Sequence, residues 1–509
     1  MRMRDVWVFP FLFLFSSAFP ITLPLHSVSA AAVLTTSYRH YLSNIGECDA
    51  LLQFSNSFNI KENAPGYYCV VLSSISSHPK TASWKNGTDC CSWDGVTCHI
   101  ATNQVIGLDL ACSWLRGPLH SNSTLFSLPS LQRLNLAGND FYGSPISPSF
   151  GIFTGMTHLN LSYSQFSGPI PLDMISQLSS LITLDLSYIN PLITIGDDHS
   201  LRRLVGNLTQ LRELVLDGVG MSRISLVSLS NLSSTLTSLS LQQCSLTGTL
   251  PNNIFHLPRL RSLSLYANSD LIGSLPQTNW STSSLVSLVL SDTKFHGPIP
   301  ASVGNLTSMK ILDLSYAKFT GPIPLTLGNL AHLTDLDLGS NTLGSTMEFE
   351  MFARLKSLQL LSLQYNNLSV LLQSNGNCSF PMLKVLMLSS CRLTGATFPY
   401  FLNSSAELEE LDLSRNMISG GIPDWIGRVG RDTLALLDLS SNNFTREIPS
   451  SICQLSSLSD LDLFDNGFSG SIPRCIGNLS NLLKLDVSIN SFAGEIPSSV
   501  CQESSIMVL

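Results

Sequence analysis

Leucine recurs along this chain in one phrase that restarts every 24 to 26 residues. Three copies show it: Leu408-x-x-Leu411-x-Leu413-x-x-Asn416-x-Ile418-x-Gly420, Leu458-x-x-Leu461-x-Leu463-x-x-Asn466-x-Phe468-x-Gly470 and Leu482-x-x-Leu485-x-Val487-x-x-Asn490-x-Phe492-x-Gly494. A unit this short cannot bury its apolar face alone. It does so by stacking on its neighbours, which constrains the chain to a solenoid with a long exposed surface. The first apolar position of the phrase falls at 105, 131, 156, 181, 211, 236, 260, 285, 309, 333, 358, 383, 408, 434, 458 and 482; only the step from Leu181 to Leu211, at 30, breaks the spacing. Within each unit the Leu-x-Leu core alternates with period two, which predicts a short strand with its leucines inward and a parallel sheet on stacking. Ile506-x-x-Leu509 starts another copy, so we expect this sequence to be a piece of a longer protein.

The asparagine of the phrase carries a side-chain amide that can satisfy backbone groups of adjacent coils. Asn139, Asn268, Asn341, Asn366, Asn416, Asn442, Asn466 and Asn490 hold this position. Ser113, Ser164, Cys244, Thr293 and Cys391 substitute as weaker hydrogen-bonding groups, whereas Ile189, Val219 and Ala317 cannot. Two of those three flank the long step, which predicts a disturbed coil or protruding loop near 187–205. A second recurrent phrase follows each strand, as in Gly168-Pro-Ile-Pro171, Gly248-Thr-Leu-Pro251 and Gly297-Pro-Ile-Pro300. Its glycine permits a tight bend, and its proline fixes φ at a position that needs no donor.

Charged residues make up only 12% of the chain and the formal net charge is −8, which leaves no electrostatic footprint for nucleic acid. Arg2 and Arg4 precede an apolar run from Val6 to Phe19, and Val28-Ser29-Ala30 suits signal-peptidase cleavage. The run is short for a membrane span, and Pro10, Pro20 and Pro24 interrupt it and its continuation, so a secretory signal over residues 1–30 is expected. Asn-x-Ser/Thr sequons agree with that compartment: Asn86, Asn122, Asn207, Asn231, Asn279, Asn305, Asn367, Asn403, Asn443 and Asn478 are the expected glycosylation sites. Asn377 is a further sequon, and Asn160 lies on a predicted strand, where a glycan would mask the inner face.

A solenoid needs a cap over its first coil. Residues 48–98 carry Cys48-Asp-Ala-Leu-Leu-Gln-Phe54, which reads as a short amphipathic helix, then Trp84 and Cys90-Cys-Ser-Trp-Asp-Gly-Val-Thr-Cys98. This stretch resembles the N-terminal domain of plant leucine-rich-repeat proteins, and the repeats resemble their plant-specific extracellular class. From Cys48 to Pro148 the chain is similar to the Cf-type disease-resistance receptor-like proteins. The segments that carry this are Lys80-Thr-Ala-Ser-Trp84, Gln104-Val-Ile-Gly-Leu-Asp-Leu110 and Gly143-Ser-Pro-Ile-Ser-Pro148. The resemblance implies a leucine-rich-repeat solenoid with a curved parallel β-sheet on the concave face, short helical or 3-10 segments on the convex face, a second short sheet, and disulfides Cys48–Cys90 and Cys91–Cys98. Cys69 is an additional cysteine, with Cys112 or another thiol as partner. Later cysteines read as core residues; Cys453 and Cys501 hold equivalent positions two repeats and ~10 Å apart, too far for a bond. The expected organisation is a signal peptide at 1–30, a cap at 31–104, about sixteen repeats at 105–505 and a truncated start at 506–509.

No nucleophile elbow, zinc-protease, phosphate-loop or kinase signature is present, so no catalysis, metal or cofactor is expected. Acidic residues recur at one strand position (Asp185, Asp313, Asp337, Asp412, Asp438, Asp462 and Asp486), which reads first as repeat consensus and only second as an acidic face for a basic ligand. The candidate ligand-binding residues are Tyr163, Tyr188, Tyr316 and Tyr365, two residues after the last strand leucine, with Tyr266 one residue after it and Arg415 nearby. Aromatic side chains on a rigid sheet give large contact area at low entropic cost. The resemblance implies an extracellular recognition domain for a pathogen-derived or apoplastic protein or peptide ligand. It also implies signalling in defence through a membrane receptor-like kinase, at the plasma membrane in a longer form and as a secreted protein if the chain ends at Leu509. The alternatives are a soluble inhibitor of a secreted cell-wall-degrading enzyme and the ectodomain of a receptor kinase.

Overall fold

The computed structural model describes residues 46–61, 69, 77–190, 192–372, 379–393 and 397–502. The expected signal segment, Asn377 and the start of a repeat at 506–509 lie outside the described residues. The chain divides at Leu246 into two compact units, each described by itself. Among the described residues no helix is long and apolar enough to cross a membrane.

In the first unit the strands Val105–Asp109, Arg133–Asn135, His158–Asn160, Thr183–Asp185, Glu213–Val215 and Ser238–Ser240 pair in parallel, with Leu108, Leu134, Leu159, Leu184, Leu214 and Leu239 side by side. All six leucines are buried. In the second unit the parallel ladder runs from Ser262–Ser264 to Lys484–Asp486, again with the central leucines in register from Leu263 to Leu485. Behind the strands the coils close through short 3-10 segments such as Ala301–Asn305, Leu325–Asn329 and Asp424–Arg428, each entered through the proline of the second phrase: Pro300, Pro324 and Pro423. A second parallel sheet follows the bend after the first in the second unit, through Thr247–Thr249, Asn268–Gly273, Thr293–Pro298, Lys318–Gly321 and Thr342–Leu343.

The cap closes the exposed edge. A helix over 46–56 buries Leu51 and Phe54, and Phe58 stacks edge-on against Phe54 and Phe141. Val96–Cys98 pairs antiparallel with Val105–Asp109, so the first parallel strand has a neighbour on its outer side. The structure contains disulfides Cys48–Cys90, Cys91–Cys98 and Cys69–Cys112. Gly95 of the cysteine phrase sits at φ +81, and a Cβ there would lie 2.3 Å from the Asp109 carbonyl oxygen. Only glycine fits that contact.

Asparagine side chains tie one coil to the one before. Asn416 Nδ2 donates to the Leu388 carbonyl at 2.8 Å, while its Oδ1 accepts from the Cys391 and Leu393 amides, both at 3.1 Å. Asn139, Asn341, Asn442 and Asn490 repeat the pattern. Ser164, Cys244 and Cys391 reach the corresponding carbonyls of Leu136, Leu216 and Leu363 at 2.9, 3.2 and 3.3 Å. Cys244 and Cys391, neither of them in a disulfide, are thus buried thiols used as weak donors, and burial pushes the Cys391 thiol up to about 12.

Two expectations are corrected. The long step between Leu181 and Leu211 leaves the sheet undisturbed, with Thr183 opposite Glu213, because its extra residues form a helix over Asp198–Asn207. Asp197 caps that helix through the Ser200 amide, and Leu201, Leu204 and Val205 face the core. Cys453 is not a lone core thiol: it is bonded to Cys475 on the next coil, with Cα atoms 5.8 Å apart. The two cysteines hold positions offset within their turns, so adjacency of the coils brings them together.

Replacing Asn416 with alanine strands buried carbonyl and amide groups that each cost about 1–3 kcal/mol. Denaturant unfolding of Asn416→Ala should show a loss of about 3 kcal/mol or more, whereas exposed Asn478→Ala should stay within about 0.5 kcal/mol. Equal losses would show that the amide is not the inter-coil tie.

Candidate functional site

The face of the main sheet is built from strand positions that alternate with the buried leucines. The recurrent acidic residue there has a local task. Asp313 Oδ1 accepts from the Ser315 amide at 3.0 Å and the Ser315 hydroxyl at 2.7 Å, and Asp412, Asp438 and Asp486 hold Ser414, Ser440 and Ser488 in the same way. Asn160 takes this role in its own repeat, with Oδ1 accepting from the Ser162 amide at 2.9 Å. The row therefore serves the turn that ends each strand, and this agrees with its reading as repeat consensus.

That turn places one residue per coil in the left-handed region, beginning with Cys112 at φ 52 and ending with Ile489 at φ 51. Tyr163, Tyr188, Tyr316, Tyr365 and Arg415 all occupy it, at φ 52, 45, 49, 54 and 54. The left-handed conformation disfavours L side chains by roughly 1–2 kcal/mol, so large residues there are held by the coil rather than chosen for the backbone. Tyr266, one residue earlier in its coil, is half-buried.

The two units present these side chains differently. In the first, Tyr163 and Tyr188 sit on adjacent strands with ring centroids 4.9 Å apart and interplanar angle 33°, so each covers part of the other. Gly218 on the next strand makes room, since a Cβ there would lie 2.7 Å from the Tyr188 ring. In the second unit the rim reads Tyr316, Ser340, Tyr365, Ser390, Arg415, so each large side chain is separated from the next by a serine. The tyrosines are open in consequence, at 48% exposure for Tyr316 and 40% for Tyr365. The shared position of the tyrosines was present in the sequence, and the backbone adds that it lies in the left-handed region.

Burial lowers the His158 imidazole, aided by the charge of Arg133, and raises the Glu213 carboxyl. Asp217 accepts from Ser240 Oγ and the Gln242 amide, both at 2.7 Å, yet burial and the charge of Asp185 push its carboxyl up to about 7. Burial and Asp313 likewise raise Asp337. The sequon residues Asn86, Asn122, Asn207, Asn231, Asn279, Asn305, Asn367, Asn443 and Asn478 are exposed and Asn403 is half-buried.

A carboxyl raised in the folded state binds its proton more tightly there than in the unfolded chain. Its contribution to stability is full below the unfolded value of 3.8 and is lost as pH rises through about 7. Thermal melts should therefore show a higher midpoint at about pH 5 than at about pH 7.5, and Asp217→Asn should flatten the slope. A midpoint that rises with pH over this window would contradict it.

Residues 45–67 and 70–99 match the leucine rich repeat N-terminal domain. Residues 235–257, 407–429, 433–455 and 457–479 match the Leucine Rich Repeat family, and a related repeat family matches 329–346. The chain is 45% identical over 244 residues to Receptor-like protein 9DC1 of Solanum pimpinellifolium, covering 46% of this chain and 27% of that protein. It is 40% identical over 275 residues to Receptor-like protein Cf-9 of the same species, covering 54% of this chain and 31% of that protein. It thus spans about a quarter to a third of the length of the curated relatives it matches. Among solved structures it is similar to the plant peptide hormone receptor RGFR1 in complex with RGF2, with TM-score 0.62 and 27% identity over 82% of this chain and 67% of that one. The chain thus carries this N-terminal domain followed by leucine-rich repeats, and the relatives it matches include receptor-like proteins of the Cf-9 type.

Proposed function

We propose that this chain is the recognition part of a plant receptor-like protein, that it lies outside the cell, and that it binds a pathogen-derived or apoplastic peptide or protein. In the intact receptor it signals in defence through a membrane receptor-like kinase. The observation that carries this is the rim of the second unit, where Tyr316, Tyr365 and Arg415 stand open on alternate strands at a backbone position that favours none of them. Large exposed side chains kept where glycine or asparagine would be easier on the backbone point to selection for contact. The strands pair at about 4.8 Å, so the two tyrosines are ~10 Å apart, a spacing one extended segment can span. The same fold in a peptide hormone receptor supports the reading.

Tyr316→Ala with Tyr365→Ala should weaken binding of a purified ligand that triggers the intact receptor by about thirtyfold or more, the effect of losing an aromatic hot spot. The melting midpoint should hold, and Tyr365→Gly should hold or raise it, because glycine relieves the left-handed strain. Calorimetric titration alongside thermal melts reads both. Unchanged affinity in the double variant would overturn the proposal.

A further inference from the structure

On the second unit the strand position just before the central leucine lies on the opposite face of the strand from it, and over four consecutive strands it reads Asp335, Leu360, Val385, Glu410, of which Val385 is buried and the other three are half-buried. An apolar strip is therefore bounded by a carboxylate at each end. Lys384, on the Val385 strand, pairs with Glu409 at 2.8 Å. Among the described residues no ion pair reaches Asp335 or Glu410; Asp335 accepts only from the neighbouring Thr334 hydroxyl. Burial holds the Asp335 carboxyl above its usual range, and burial with the charges of Glu409 and Asp460 does the same for Glu410. Each is a partly desolvated negative charge that a cation from outside would stabilise.

The spacing defines what would fit. Three strand steps of about 4.8 Å put the two carboxylates ~14 Å apart, and an extended peptide advances about 3.4 Å per residue. Four residues cover that distance. Side chains i and i+4 then point the same way, and i+2 points with them, over Leu360 and Val385. We infer that this strip binds an extended segment of a partner protein or peptide through a cation-x-apolar-x-cation pattern laid across the strands. The inference rests on the recognition reading above and gives its ligand a chemistry.

The test uses the full chain and three fluorescent peptides with glycine flanks, titrated by polarisation at about 0.15 M ionic strength. The probe carries Arg-Gly-Leu-Gly-Arg, the second peptide replaces both arginines with glutamate, and the third respaces the core as Arg-Gly-Arg-Gly-Leu. The probe should bind at least tenfold more tightly than either control. Asp335→Asn with Glu410→Gln, which removes charge without changing shape, should abolish that preference. Equal binding of the glutamate or respaced peptide, or a preference retained by the double variant, would overturn the inference. If that happens while the tyrosine variants still lose the receptor's own ligand, the recognition surface stands and only the ligand chemistry falls. Loss of neither would reject both.

Discussion

The interaction on which the architecture depends is the buried amide that spans two coils. An isolated coil of this repeat leaves backbone carbonyl and amide groups turned inward with no partner, and burying them unpaired would cost about 1–3 kcal/mol each. Asn416 removes the problem by giving a donor to Leu388 and an acceptor to Cys391 and Leu393. Because those groups belong to the preceding coil, satisfying them also fixes the stacking. The chain can therefore lengthen by one coil at a time without enlarging its core. Where a thiol or hydroxyl replaces the amide, as at Cys244 and Ser164, the same carbonyl is met by a single weaker donor.

A consequence is a separation of tasks along each repeat. Leucines, the asparagine and the strand-ending aspartate are committed to the coil, each through a contact that no other residue type supplies as well. Among the described residues, the position between the aspartate's turn and the asparagine lies in the left-handed region coil after coil, and apart from Cys112, bonded to Cys69, its side chain is not part of the leucine, asparagine or aspartate contacts that build the coil. Its identity is consequently free, and tyrosine, arginine, serine, aspartate and isoleucine all occur there. In the second unit the alternation of serine with Tyr316, Tyr365 and Arg415 keeps these side chains apart, whereas Tyr163 and Tyr188 on neighbouring strands spend much of their surface on one another. Equivalent positions in the repeat are thus unequal as binding positions, and the neighbours decide which.

The aspartate row was visible only as a recurrence, whereas the leucine ladder and the asparagine ties were legible in the sequence because each depends on one residue type recurring at one spacing. The left-handed rim was not, because many residue types share it and nothing in their chemistry marks the backbone beneath. The helix over Asp198–Asn207 could have been read from the Asp197 cap and the apolar spacing of Leu201, Leu204 and Val205. The missing asparagine at Ile189 and Val219 pointed instead to a broken coil, and burial of both side chains supplied what hydrogen bonding did not. Cys453–Cys475 escaped a comparison of equivalent positions because the bond joins inequivalent ones on adjacent turns. Of the candidate site, the aromatic residues were visible but their exposure was not, since exposure is set by residues a full repeat away.

The separation of tasks can be measured without knowing the ligand. Saturation mutagenesis at Asn416, Leu411, Tyr316, Tyr365 and Arg415, read by the fraction of folded, displayed protein, compares the two kinds of position directly. Intolerance at Asn416 and Leu411 with broad tolerance at Tyr316, Tyr365 and Arg415, glycine and asparagine included, is the expected result. Folding losses at the tyrosines as large as those at the asparagine would show that the rim holds the coil together and is not a surface kept for contact.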